Sequence, residues 1–219
     1  MVKAAPNAGY FFPGDPLSPP TGNGIPLDYA DWAAGPPYNN PHNDTVTLLW
    51  QAQLDPTCVQ HYNATLGPAF TYFCGSVSNL YPFIVSPVFT IENMYDSNQI
   101  FAQMGTPKPA TLPRSKEYIA RYGALMRNST MQISHNTAKP GDGIFLASCL
   151  DHGMGRTTTL MASDRRLVGF REVLADWFFG QGKFASHRLV DSCSSADGLP
   201  CNPTCDHVGY LPEDVLGIW

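Results

Sequence analysis

The sequence predicts an α/β fold in which a mostly parallel sheet is flanked by helices and followed by a disulfide-rich tail. Two short apolar runs bounded by glycine or proline, at residues 88–92 and 144–147, have the length and residue types of buried strands. Between them, residues 116–132 carry apolar side chains at helical spacing. Strand, helix, strand is the βαβ unit, whose parallel strands bring their carboxyl ends to one edge. Three of the six cysteines, Cys193, Cys201 and Cys205, crowd into a Gly- and Pro-punctuated end. At 219 residues, 43% of them hydrophobic, the chain can build one large core or two small ones.

The first dozen residues read as the tail of a strand and a loop. Residues 13–41 hold eight prolines, a long irregular excursion. Asn43 and Asp44 can cap a helix over 45–54 that Asp55-Pro56 would stop. Cys58 and Cys74 then bracket a segment of the right size for a local disulfide. The strand at 88–92 starts after Pro87, and Asp96 follows it, before a short helix over 97–104 that Gly105 ends. Ser115 caps the helix over 116–132, and its stripe of Tyr118, Ile119, Tyr122, Leu125, Met126 and Ser129 reads as core. Residues 137–143 turn the chain into the next strand, with Ser148 at its end, Cys149 beyond and His152 just past it. A second amphipathic helix spans 167–179, carrying Phe170, Val173, Leu174, Trp177 and Phe178 toward the core, and Gly180 closes it. The remaining tail shows no regular pattern.

Composition narrows the partners. The formal charge of -5 is spread without basic blocks, so no phosphate footprint exists for a nucleic acid. No run of eighteen apolar residues spans a membrane. An even number of cysteines with three N-glycosylation sequons, at Asn43, Asn63 and Asn128, points to an oxidising, secretory route. The opening MVKAAPNAGYFFPG nevertheless lacks the apolar core of a signal peptide. Either the protein is not secreted, or its signal peptide is missing from this chain.

An acid after one strand and a histidine after the next is the second half of the order Ser, Asp, His. That chemistry needs a carboxylate to take the histidine Nδ1 proton, so that the other ring nitrogen can activate a serine. Asp96 and His152 are the candidates; the bland readings are a helix cap for Asp96 and an ordinary loop residue for His152. No G-x-S-x-G occurs, and the nearest approach, Gly75-Ser76-Val77-Ser78-Asn79, lacks the second glycine. Cys193, Cys201, Cys205 and His207 could instead hold zinc, although their spacing fits no common finger.

Four runs carry a resemblance: PVFTIENMYDSNQI at 87–100, ASCLDHG around His152, VLADWFF at 173–179, and LVDSC with CNPTC near the end. Together they are similar to the pectin acetylesterase and Notum family, on the plant-like pectin acetylesterase side, along nearly the whole chain. The resemblance implies an extracellular serine ester hydrolase of α/β-hydrolase type that needs no metal or organic cofactor and is a monomer when intact. It implies Asp96 as triad acid and His152 as general base. It also implies pairing Cys58 with Cys74, Cys149 with Cys201 and Cys193 with Cys205, the last two pairs being open to exchange.

Family members carry the nucleophilic serine and oxyanion donors in a first half that would precede Met1. Residues 1–219 are therefore expected to be the C-terminal portion of one such domain, inactive alone for want of the nucleophile. The intact protein would deacetylate a cell-wall polysaccharide such as pectin. The alternatives are a Notum-like lipid deacylase and a non-catalytic secreted binding module.

Overall fold

The computed structural model describes residues 3–7, 53–75, 77–103, 105–107, 110, 112–136, 141–154, 158–162, 166–193 and 195–205. The proline-rich excursion at 13–41, most of the helix expected over 45–54, Asn43 and His207 lie outside the described residues.

Asp55 and Pro56 open a helix where the sequence reading had them close one. Asp55 adopts an extended conformation, its carboxylate accepts the Thr57 and Cys58 N–H groups at 2.9 Å each, and helix α1, Pro56–Thr65, begins behind it. Proline at the first helical position loses nothing, because its missing N–H would have had no helical partner. Cys58 on α1 is bonded to Cys74 at the end of a 3-10 segment, Pro68–Gly75.

The centre is a parallel sheet. Strand β1, Phe89–Asp96, pairs with β2, Gly143–Asp151, across helix α2, Pro113–Asn136. Both strands outrun their apolar cores, because polar residues the sequence reading placed at or beyond the strand ends are buried within the ladder. Glu92, Asn93 and Ser148 are each at most 1% exposed. On the far side of β1 the N-terminal segment bridges in parallel, Ala4 to Val88 and Asn7 to Ile91.

Residues 167–169 are not helical. They form β4, Leu167–Gly169, antiparallel to β3, Thr159–Met161, and helix α3, Phe170–Phe179, starts only after Gly169. Gly180 ends α3 at φ 66°, a left-handed conformation that glycine adopts without strain. The tail then contributes an unforeseen third strand, β5, Arg188–Val190, parallel to β2, giving the order β1-β2-β5.

Side-chain alternation divides the core in two. Ile144, Leu146 and Leu150 of β2 meet Tyr118, Ile119, Tyr122 and Met126 of α2, all buried, while Leu125 and Ser129 at the edge of that stripe are half-buried. Phe145, Ala147 and Cys149 point the other way, with Phe89 and Ile91, onto Val173 and Trp177 of α3. Trp177 is core, as expected, but Phe178 is 51% exposed. A sheet covered on both faces explains the nearly continuous apolar runs. Among the described residues no helix is long and apolar enough to cross a membrane.

Candidate active site

The register of β1 and β2 brings Asp96 opposite Asp151, the last residue of β2, and His152 comes next. Between Asn93 and Tyr95 the register shifts, so that β2 advances three residues while β1 advances two. The outcome is a hydrogen-bonded pair, with His152 Nδ1 2.9 Å from Asp96 Oδ2. The Asp96 side chain is fully buried, whereas that of His152 is 44% exposed. The two readings of Asp96 are both realised. Its Oδ1 accepts the Gln99 N–H at 2.8 Å, capping the π-helical turn Asn98–Gln103, and its Oδ2 faces the imidazole.

Burial pushes the Tyr122 phenol well above its usual pKa, and the carboxylates of Asp96 and Glu92 and the Tyr118 phenol raise it further. Tyr95, next to Asp96, is pushed up to about 12 by burial, and its hydroxyl donates to Gly198 O at 2.7 Å. Both phenols therefore stay protonated through the ordinary pH range.

Two residues that sequence reasoning passed over hold the loop of His152. Asn93 Nδ2 donates to Asp151 O at 3.0 Å and to Gly153 O at 2.8 Å. From the N-terminal segment, Asn7 Oδ1 accepts the Met154 N–H at 3.0 Å. The available signal was Asn93 itself, an amide inside a strand otherwise destined for burial.

A second carboxylate–histidine pair lies at the other end of the sheet. Asp176 Oδ2 is 2.9 Å from His187 Nε2, and the same carboxylate accepts the Lys183 and Phe184 N–H groups at 2.9 and 3.0 Å. Burial pushes the Asp176 carboxyl up, but these backbone donors and His187 more than offset it and leave it below the usual value. His187 O accepts the Ile144 N–H, so this pair stands where β2 begins. Ligand chemistry in such sheets collects at the carboxyl ends. The Asp176 pair organises the turn after α3.

The tail corrects the expected disulfides. Cys58–Cys74 forms as expected, but Cys149 pairs with Cys205, and Cys193 with Cys201. Alternation on β2 decides the exchange. Ser148 Oγ lies 3.2 Å from Cys201 Sγ, which puts Cys201 on the α2 side, while Cys149 points to the α3 side, where Cys205 packs. With Cys193, Cys201 and Cys205 all oxidised, the zinc-holding tail is excluded. Asp191, buried beneath this knot, ties it to the sheet by accepting N–H groups from Ser148, Met161 and Cys193 at 3.1–3.2 Å. Of the sequons, Asn63 and Asn128 are exposed on α1 and α2.

A mostly parallel sheet with helices on both faces is an α/β fold of the α/β-hydrolase type. Solved structures agree on the fold. Two crystal forms of the Wnt deacylase Notum from Drosophila match with TM-scores of 0.61 and 0.57, each at 22% identity. They cover 94% and 83% of this chain, and 49% and 46% of the Notum chain, so this chain spans about half the length of the structures it matches. The family model described as Pectinacetylesterase matches residues 1–206, and the chain belongs to the pectinacetylesterase family. No curated protein matches it.

Proposed function

We propose that Asp96 and His152 are the acid and the general base of a serine ester hydrolase, and that the intact protein removes acetyl groups from a polysaccharide such as pectin. The observation that carries this reading is the 2.9 Å contact between a buried Asp96 carboxylate and His152 Nδ1, at the carboxyl edge of adjacent parallel strands. With Nδ1–H donated to Asp96, Nε2 is left as the lone-pair nitrogen that takes a serine proton and returns it to the leaving alkoxide. The carboxylate stabilises the imidazolium formed in between. In such triads its loss lowers turnover by about 10⁴ even where geometry survives.

The nucleophile and oxyanion donors belong, on this reading, to a part of the protein outside residues 1–219, which form the C-terminal portion of the domain. The family supports the ester chemistry, and three disulfides suit a secreted, cell-wall protein. The test joins the chain to an upstream half carrying G-x-S-x-G and measures acetate release from acetylated pectin. Activity that falls at least a thousandfold in Asp96→Asn and in His152→Ala supports the assignment. Activity retained in either variant removes that residue from the mechanism.

A further inference from the structure

We infer that Asn93 and Asn7 are positioning residues that clamp the backbone on either side of His152 and so aim its ring at Asp96; the inference rests on His152 being the general base. His152 needs such help. Its ring has one bond to Asp96 and is nearly half exposed, and the chain leaves β2 at once, with Gly153 at φ 83°. A turn of that kind would otherwise let the ring swing on its own backbone.

The two carbonyls flanking His152, those of Asp151 and Gly153, both accept from the single Asn93 amide nitrogen, at 3.0 and 2.8 Å. Both hydrogens of that NH₂ are thereby used. The amide orientation follows, because the flipped amide would set an oxygen against two carbonyl oxygens. One residue on, Met154 N–H donates to Asn7 Oδ1 at 3.0 Å, and the Met154 side chain is buried in the core on the α3 side. Between these anchors, Asp151 Oδ1 accepts the His152 N–H at 2.7 Å. The backbone of residues 151, 153 and 154 is thus tied to β1 and to the N-terminal segment beside it.

Stability alone does not account for Asn93. It is 1% exposed inside β1, and its Oδ1 has no hydrogen-bond partner among the described residues. A buried acceptor without a partner is costly, and a β-branched residue there would build a better strand. The two bonds astride His152 are what the asparagine supplies.

The test uses the chain itself, labelled with ¹⁵N-histidine, and follows the His152 Nδ1–H resonance by NMR. Asp96→Asn identifies it, and the His187 ring, bonded to Asp176 at the opposite end of the sheet, is the internal reference. Asn7 is exposed, so its variants keep the core intact. Asn7→Ala is expected to speed exchange of that proton with water ~10-fold while the His187 signal stays put. Asn7→Asp retains an acceptor for Met154 N–H and should restore the slow rate. Asn93→Ala and Asn93→Asp should each lose the resonance.

A His152 resonance that exchanges at the wild-type rate in Asn7→Ala overturns the role of Asn7. Retention in a folded Asn93→Ala overturns that of Asn93, and equal loss of the His152 and His187 signals would mean general loosening and overturn both. An intact protein that cleaves no ester, while Asn7→Ala still frees the His152 proton, would sink the esterase reading and leave the clamp standing.

Discussion

Gly123 on α2 is the place where one methyl group should do most damage near the site. A Cβ built there would lie 2.1 Å from Tyr95 Cε1 and 2.6 Å from Cζ, against an ordinary carbon contact of about 3.5–4.0 Å. The ring would have to recede by roughly 1.5 Å. It cannot swing freely, because its hydroxyl is held by Gly198 O at 2.7 Å and its backbone is in β1. Overpacking of this kind costs about 1–3 kcal/mol, and breaking the tyrosine hydrogen bond adds about 1 kcal/mol, so Gly123→Ala should destabilise by about 2–4 kcal/mol. For a domain of this size that lowers Tm by roughly 4–15 °C, readable by thermal denaturation followed by circular dichroism. A double-mutant cycle isolates the cause: with Tyr95→Ala in place, Gly123→Ala should cost almost nothing. A Gly123→Ala protein that melts with the wild type, or a penalty unchanged in the Tyr95→Ala background, would refute the close-approach argument.

The other predictions concern protonation and covalent links. Asp176 has a folded pKa below its unfolded value, so its contribution is fully present above the unfolded carboxylate range and is lost as pH falls through the lower folded value. Tm should therefore decline in that acid window, and Asp176→Asn should be less stable at neutral pH with a flatter acid profile. A variant with an unaltered acid profile would show that Asp176 is not the group responsible. Digestion without reduction, followed by mass spectrometry, should yield peptides joined through Cys149–Cys205 and Cys193–Cys201 and none through Cys149–Cys201. Replacing Cys58 and Cys74 by serine opens a loop of sequence separation 16 and should cost about 3 kcal/mol in denaturant titration.

What the sequence by itself determined is what local chemistry controls. Short apolar runs and helical spacing located β1, α2, β2 and α3, because a strand covered on both faces shows as a nearly unbroken apolar run and an amphipathic helix repeats its own period along the chain. A strand-end aspartate and histidine pointed to the pair at the sheet edge for the same reason, since parallel connection brings both ends together. Tertiary structure decided the rest. Ser148 reads as a strand end and Asn93 falls beyond the expected strand, and only their partners across the sheet explain how they are buried within it. Residues 188–190 carry too short a pattern to declare a strand, and β5 exists because β2 offers it an edge. Which cysteine met which depended on the face of β2 that each reached, a relation between residues 56 apart in one case and 8 in the other. Contacts between distant segments leave no period in the sequence, so the clamp around His152 became visible only once the fold had brought Asn7, Asn93 and Met154 together.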